Sequence, residues 1–305
     1  MEKIFILGAG AIGKALAVFL TMEKREVVLL RASTDNIASA TETINVERAD
    51  GQRLTSEVAI HSLRQYKRLD GLVVITSKAF GNTELAERLK EKTGDSPLVI
   101  LQNGLHVEQP FLNYFPGVYR CVLFATSQLI NSDQIRFKPV SSSPIGIVKG
   151  SPEELAQTVR LLDSENFHFH ISDKIQETVW KKVIANCVFN SICPLLDIDN
   201  GIFHRNSEAL NLAREIVNEC TTIAKAGGVV LDTEEILATI TLISRSSDGQ
   251  LISTLQDIRS GRETEIESLN LAIVKLAAEL NLENAVPLTK MLGHLIKLKS
   301  GRFQI

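Results

Sequence analysis

In the segment from Trp180 to Pro194, one lysine and two asparagines are spaced four residues apart. Lys182, Asn186 and Asn190 would therefore lie along one face of an α-helix. The residues around them are apolar enough to predict that the helix is largely buried. A buried lysine with two buried amides is costly unless something satisfies them. Two explanations fit: a polar network that ties this helix to its neighbours, or a set of groups that meets a ligand.

The chemistry that these three groups could support is the reduction of a ketone. Hydride added to a carbonyl carbon leaves negative charge on the oxygen, which needs a positioned acid or cation. A desolvated lysine has a lowered pKa and can donate that proton near neutral pH. On this hypothesis Lys182 is the proton donor, and Asn186 and Asn190 hold the oxygens of the substrate.

A glycine-rich turn near the start of the chain could bind the phosphates of a dinucleotide. The turn has the pattern G-x-G-x-x-G and consists of Gly8, Ala9, Gly10, Ala11, Ile12 and Gly13. It follows the apolar run Lys3–Leu7 and leads into a helical pattern, and a second apolar run, Glu26–Leu30, closes the unit. In this context the glycines allow a tight turn and close approach of a pyrophosphate to the helix N-terminus. The alternative is a glycine-rich turn that binds no ligand.

The residue that follows the second apolar run indicates which dinucleotide would bind. An NAD site usually has a carboxylate about 20 residues past the fingerprint, and here Arg31 stands in its place. A guanidinium, with the hydroxyls of Ser33 and Thr34 nearby, suits a ribose 2′-phosphate. The sequence therefore predicts NADPH as the cofactor, unless Arg31 is an ordinary solvated arginine at a strand end.

Polar residues also follow two further apolar runs. Lys78 comes shortly after residues 71–75, and Asn103 comes shortly after residues 97–101. Both would lie at the carboxyl edge of a parallel sheet, where ligands bind. Asn103 could anchor cofactor or substrate, and Lys78 could bind a substrate anion. Each could equally be a turn residue or a solvated lysine.

The elements that must position these residues differ between the two parts of the chain. Apolar runs alternate with helical patterns in the first part, which predicts a Rossmann-type, doubly wound parallel sheet with antiparallel or edge strands after residue 134. From about Asp173 onward the periodicity is helical, including a helix from Ile175 to Cys193. We predict a dinucleotide-binding domain at residues 1–172 and an all-helical substrate and catalytic domain at residues 173–305.

Composition narrows the class of protein. The chain has 305 residues and a net charge of −3, which gives no indication of nucleic acid as a partner. No apolar run reaches the roughly 18 residues of a membrane span, and the six histidines do not cluster as metal ligands. The four cysteines have no C-x-x-C spacing, so we expect reduced core thiols in a cytoplasmic protein without a metal.

With these residues identified, the chain resembles the ketopantoate reductase family over nearly its whole length. The shared features are the glycine-rich turn, an arginine at the position of Arg31, K-A at Lys78-Ala79, N-G at Asn103-Gly104, W-x-K-x-x-x-N-C-x-x-N from Trp180 to Asn190, N-G at Asn200-Gly201, and S-x-x-Q-D-x-x-x-x-R-x-T-E-I from Ser253 to Ile266. The family pattern continues with aspartate and glycine where this chain has Glu267 and Leu271, so a turn after Asn270 is replaced by continuous helix in our prediction.

The resemblance implies a function and a set of site residues. The reaction would be the NADPH-dependent reduction of 2-dehydropantoate to (R)-pantoate, on the route to pantothenate and coenzyme A. The C-terminal domain would have the fold of the 6-phosphogluconate dehydrogenase C-terminal domain. Lys182 would be the general acid and Glu265 its acidic partner. The residues around the substrate would be Asn103, Asn186, Asn190, Asn200 and Ser253, with Lys78 between cofactor and substrate.

Two other functions remain open at this stage. A related reductase of another branched 2-oxo acid would use the same lysine, and only a panel of substrates separates the two. A non-catalytic NADPH sensor, whose helical domain forms a homodimer or binds a partner, would bind the cofactor without turnover. The sensor leaves the polar face of the Lys182 helix unexplained.

Overall fold

The computed structural model describes residues 3–31 and 39–301, and they form two compact units. The first unit contains the described residues up to Gln102 together with Val107–Ile175. The second contains Asn103–His106 together with the described residues from Gln176 onward. The short segment that includes Asn103 therefore belongs to the helical unit, although the chain on both sides of it belongs to the first.

The first unit is built on one sheet. Its described strands are β1 Ile4–Leu7, β2 Val27–Arg31, β3 Ala40–Arg48, β4 Arg53–Ser62, β5 Leu72–Ile75, β6 Leu98–Ile100, β7 Val118–Cys121, β8 Ala125–Leu129, β9 Gln134–Pro139, β10 Ser143–Lys149 and β11 Phe169–Ile171. The 11 strands follow the order β11-β10-β7-β6-β5-β1-β2-β4-β3-β9-β8.

The centre of this sheet is parallel and buried on both faces. β1 pairs in parallel with β2 and β5, and β6 pairs in parallel with β5 and β7. Alternate side chains of β1 enter two different cores: Ile4 and Ile6 pack with helix α1 (Ala11–Met22), while Phe5 and Leu7 pack with helix α2 (Asn82–Lys90). Coverage of both faces explains the unbroken apolar runs, and the predicted doubly wound fold is confirmed.

The outer strands give the sheet its mixed character. β10 is antiparallel to β7, and β9 is antiparallel to β8, as predicted for the later strands. β11 is an edge strand but pairs in parallel with β10, after the crossover helix α3 (Pro152–Leu162). The side chain of Ser151 caps α3 by accepting a hydrogen bond from the Glu154 N–H at 3.2 Å.

Two long strands were missed by the sequence patterning. β3 and β4 form an antiparallel hairpin, and Gly51 takes a φ of +83° in the turn between them. The strands were hard to recognise because the exposed face of the hairpin is polar and charged. Only Ile44 and Val46 of β3 are fully buried.

The second unit is helical. Its described helices are α4 Ile175–Leu196, whose first residue belongs to the first unit, α5 Ile202–Arg205, α6 Ser207–Ala226, α7 Thr233–Ser246, α8 Ser253–Arg259, α9 Asn270–Glu279 and α10 Pro287–Ser300. α9 begins at Asn270, so helix follows this residue as expected from the missing glycine, but Leu269, with φ −110° and ψ −103°, separates α9 from the short 3₁₀ turn at Ile266–Ser268. No helix in the described ranges is long and apolar enough to cross a membrane.

Helix α4 is longer than predicted. It continues through Pro194 to Leu196, although a proline removes one N–H from the helical hydrogen bonds. Lys299 donates to the carbonyl oxygen of Pro194 at 2.6 Å, which satisfies part of this helix end. The helix ends directly afterwards, where Asp197 takes a left-handed φ of 54°. All four cysteines are buried thiols.

Candidate active site

In the glycine-rich turn of the first unit, Gly8 and Gly13 leave no room for a side chain, whereas Gly10 does. A Cβ on Gly13 would lie 1.9 Å from the carbonyl oxygen of Gly8, and Gly8 itself has a φ of +126°. By contrast, a Cβ built on Gly10 meets no described atom within 4 Å. Gly10 is also the N-cap of α1, so no side chain caps the first N–H groups of the helix, and the space beside the Gly10 Cα is open. This is the geometry that an anion needs.

The loop after β5 supports this turn. The Thr76 hydroxyl donates to the carbonyl oxygen of Gly8 at 2.9 Å, and the Ser77 N–H donates to that of Leu7 at 3.0 Å. Lys78 follows at once and is half-buried. Thr76, two residues before Lys78, therefore helps to hold the glycine-rich turn in place.

A pair of side-chain amides that the sequence analysis did not single out together fixes the same loop. Gln102 donates from Nε2 to the Ser77 carbonyl oxygen at 2.9 Å and to Oδ1 of Asn82 at 2.7 Å. Asn82 donates back to Oε1 of Gln102 at 2.7 Å. Both amides are almost fully buried, so the bonds join the ends of β5 and β6 and position the loop that carries Lys78.

Arg31 ends β2 at the same edge of the sheet. Its guanidinium lies 3.2 Å from Oε1 of Glu42 on β3, and both side chains are about one-third exposed. The second oxygen of Glu42 lies 3.9 Å from Nζ of Lys14, in the first turn of α1. Burial lowers the pKa of Lys14, and the positive charge of Arg31 acts in the same direction, while Glu42 opposes them. Ser33 and Thr34 lie outside the described residues.

In the helical unit, two predicted residues that are far apart in sequence meet directly. Asn103 donates from Nδ2 to Oε2 of Glu265 at 3.1 Å. The neighbouring backbone is held too, because the Leu105 N–H donates to the Ser268 carbonyl oxygen at 2.8 Å. A Cβ on Gly104 would lie 2.6 Å from the Cβ of Ser268, so glycine is required for this approach.

The predicted lysine and the two predicted asparagines lie along the polar face of α4, and they differ in how deeply they are buried. Lys182 and Asn186 are half-buried, whereas Asn190 is only 2% exposed. Oδ1 of Asn190 accepts a hydrogen bond from the Thr254 N–H at 3.4 Å, in the first turn of α8. The neighbouring Ser253 is exposed at the start of α8. Asn190 thus takes part in the network between helices that was one explanation for this polar face.

The backbone of Asn200 is fixed by hydrogen bonds, whereas its side-chain oxygen makes none to the described residues. Its N–H donates to the Gln250 carbonyl oxygen at 2.9 Å, and its own carbonyl oxygen accepts from the Ser244 hydroxyl at 2.7 Å. The residue is 6% exposed, yet its buried Oδ1 has no hydrogen-bond partner among residues 3–31 and 39–301. A buried acceptor in this state is suited to a ligand that brings a donor.

The loop that carries Asn200 is fixed by a charged cluster that the sequence analysis missed. Arg205 binds both oxygens of Asp199, at 2.8 and 2.9 Å, and also Oδ1 of Asp248 at 2.6 Å. The hydrogen bond from Arg205 is the main reason that the pKa of Asp199 is lowered. The spacing of Asp199 and Arg205 was visible in the sequence, but nothing local indicated the third member, Asp248.

The sheet, its glycine-rich first turn and the separate helical unit define a Rossmann-type protein with a helical C-terminal unit. Residues 4–147 match the family model described as ketopantoate reductase PanE/ApbA, and residues 174–300 match the model of its C-terminal region. The chain belongs to the ketopantoate reductase family, a family of oxidoreductases.

Relatives and solved structures agree with this assignment. The chain is 26% identical over 300 residues to the 2-dehydropantoate 2-reductase of Pyrococcus abyssi, covering 98% of both chains. It is 24% identical over 307 residues to that of Streptococcus pyogenes serotype M3, covering 99% of both. Its fold is similar to that of a D-mandelate dehydrogenase solved with NADH and anilino(oxo)acetate, with a TM-score of 0.85, 23% identity and 98% coverage of both chains. It is also similar to a dimeric ketopantoate reductase from Staphylococcus aureus, with a TM-score of 0.82, 20% identity and 98% coverage of both.

Proposed function

We propose that this protein uses NADPH to reduce 2-dehydropantoate to (R)-pantoate, a step in the biosynthesis of pantothenate and coenzyme A. The observation that carries the proposal is the polar face of α4, where Lys182 and Asn186 remain half-buried in a helix that is otherwise largely buried. Family membership and the curated relatives support the reaction.

The cofactor would bind in the first unit. Its pyrophosphate would lie at the N-terminus of α1, where Gly10 leaves room for it, within the turn formed by residues 8–13. Arg31 would bind the 2′-phosphate, because a guanidinium forms bidentate, charge-assisted hydrogen bonds to phosphate oxygens. Lys78 and Asn103 are our candidates for contact with either cofactor or substrate. The NADH in the solved D-mandelate dehydrogenase supports a nicotinamide cofactor in this fold.

The helical unit would supply the acid and the substrate contacts. When bound, NADPH supplies the hydride that goes to C2 of the 2-oxo acid. The ammonium group of Lys182 gives one proton to the carbonyl oxygen, so the products are the alcohol and a neutral amine that takes its proton back from solvent. Glu265 stabilises the charged lysine, and Asn103 holds the Glu265 carboxylate by its 3.1 Å hydrogen bond. Asn186, Asn190, Asn200 and Ser253 orient the polar groups of the substrate.

The same proposal extends to organisation and location. Residues 1–172 would form the NADP-binding domain and residues 173–305 the substrate domain. We propose a cytoplasmic protein that binds a small 2-oxo acid, with a homodimer as its assembly. The dimeric ketopantoate reductase of similar fold supports the dimer.

The test is the rate of NADPH oxidation by purified protein, with 2-dehydropantoate as substrate and 2-oxoisovalerate as the control. We expect rapid turnover of the first and little of the second. Lys182→Ala should lower kcat by at least about a hundredfold and leave NADPH binding intact. Lys181→Ala is the matched control, because Lys181 is the next residue of the same helix and pairs with exposed Glu235 at 2.6 Å.

Two outcomes point to the second candidate, a reductase of another 2-oxo acid. One is slow turnover of 2-dehydropantoate together with fast turnover of a different 2-oxo acid in a panel. The other is a preference for an aryl 2-oxo acid, since the D-mandelate dehydrogenase with this fold was solved with anilino(oxo)acetate. NADPH binding without turnover of any 2-oxo acid would contradict both and favour the sensor.

A further inference from the structure

The carboxylate of Glu42 lies between two cations at the end of β2. Oε1 is 3.2 Å from Nη2 of Arg31, and Oε2 is 3.9 Å from Nζ of Lys14. The Lys14 side chain is 5% exposed and is held in place by a hydrogen bond to the Ser132 carbonyl oxygen. Glu42 therefore occupies the position of an anion beside the guanidinium that we assign to the 2′-phosphate.

The sheet explains why three residues from separate elements meet here. Side chains of a strand alternate between its two faces, so Arg31 lies on the same face of β2 as Val27 and Leu29, which pack against α1. For the same reason Glu42 lies on the same face of β3 as Ile44 and Val46, which pack against the same helix. All three charged groups therefore lie on the α1 face of the sheet, at the edge where β2 ends.

The carboxylate of Glu42 should affect the binding of NADPH and of NADH differently. A 2′-phosphate carries between about −1.5 and −2 charges at neutral pH, so it is repelled by a carboxylate a few ångströms away. It must also share an arginine that is already paired. A ribose 2′-hydroxyl carries no charge, so a nearby carboxylate does not repel it.

We propose that Glu42 is a specificity-determining residue that reduces the preference of the site for NADPH over NADH. Its carboxylate partly neutralises Arg31 and repels the 2′-phosphate, while it leaves NADH binding almost unaffected. This inference rests on the proposed function, because it takes Arg31 as the group that binds the 2′-phosphate.

The test is calorimetric titration of the full-length protein with NADPH and with NADH, in the wild type and in Glu42→Gln. Glutamine keeps the size of the side chain and one oxygen that accepts a hydrogen bond from Arg31, but it removes the charge. We expect the Kd for NADPH to fall about tenfold. The Kd for NADH should change by less than about twofold, because no charge is placed on its ribose.

Glu47→Gln is the matched control. Glu47 lies on the same strand, but its partner is exposed Arg136, at 3.9 Å. This substitution should change neither Kd. In an Arg31→Gln background, Glu42→Gln should still tighten NADPH binding, but by less than in the wild type, because the direct repulsion of the phosphate remains while the competition for Arg31 is gone.

Three results would overturn the inference. One is weaker NADPH binding by Glu42→Gln, which would mean that the carboxylate only holds Arg31 in position. Another is an equal change for NADPH and NADH, and the third is no change in either. These three results concern dinucleotide binding alone, so they would not contradict the proposed reduction. Conversely, NADPH binding without turnover of any 2-oxo acid would contradict the proposed reduction but not the role of Glu42. A wild-type protein that binds neither dinucleotide would contradict both.

Discussion

Substitution of Gly10 and Gly13 by alanine should separate ligand binding from folding within one turn. A Cβ on Gly13 would lie 1.9 Å from the carbonyl oxygen of Gly8, where ordinary contact begins at 3.4 Å. The backbone of Gly8 cannot move aside easily, because the Thr76 hydroxyl holds its carbonyl oxygen. We therefore expect Gly13→Ala to destabilise the protein by about 3 kcal/mol, which lowers Tm by roughly 6–12 °C.

Gly10→Ala should behave in the opposite way. The new Cβ enters open space, and the backbone of Gly10 is extended, with φ −79° and ψ −174°, which alanine adopts without strain. The loss of a glycine N-cap and the gain from a less flexible unfolded chain nearly cancel, so stability should change by less than about 1 kcal/mol. A pyrophosphate at the helix N-terminus would meet the added methyl group, and the Kd for NADPH should rise by about 10–100-fold.

Thermal unfolding of the apoprotein and calorimetric titration with NADPH measure the two effects separately. Gly81→Ala is a control, because Gly81 is the N-cap of α2 and a Cβ there also meets no described atom within 4 Å. It should change neither Tm nor the Kd for NADPH. If Gly10→Ala binds NADPH as tightly as the wild type, the phosphates do not lie at the N-terminus of α1, and the reasoning from its open space is refuted.

Three further substitutions test the helical unit and one pH-sensitive pair. Glu265→Gln keeps an acceptor for Asn103 but removes the charge, so kcat should fall by about a hundredfold with an unchanged Kd for NADPH; an unchanged kcat would contradict its role. Asn200→Ala removes a buried oxygen without a partner, so KM for the 2-oxo acid should rise by about tenfold while Tm stays within about 2 °C; a large fall in Tm would show that the side chain is structural. Burial lowers the pKa of His61, which lies 2.6 Å from the Tyr66 hydroxyl, so the unfolded chain binds the proton more readily. Stability in urea should therefore decline as pH falls below 6.5, and this part of the decline should be absent in His61→Gln.

The sequence was most informative where the physical cause of a structure is local. The run β1, glycine-rich turn, α1 and β2 follows from apolar strands, a positive φ at Gly8 and helical periodicity, all within about thirty residues. The cap of α3 by Ser151, with Pro152 in the first turn, was also predictable from neighbouring residues. Spacing alone placed Lys182, Asn186 and Asn190 on one helix.

The strand content was harder to predict at the edge of the sheet. The hairpin of β3 and β4 was missed because its strands are stabilised by pairing with β2 and β9 and bury only part of their side chains. A half-exposed strand with charged residues has a weak sequence pattern. For the same reason, Glu42 could not be recognised as a neighbour of Arg31 before the register of three strands was known.

By itself, the sequence determined the fold class, the glycine-rich turn and the residues that could carry chemistry, because each depends on residues close together in the chain. Only the tertiary structure decided which of these residues meet. Asn103 hydrogen-bonds to Glu265 from 162 positions away, and Glu42 reaches Arg31 from a different strand. Such contacts depend on strand register and on the packing of helices, which are set by the whole core rather than by the residues that touch.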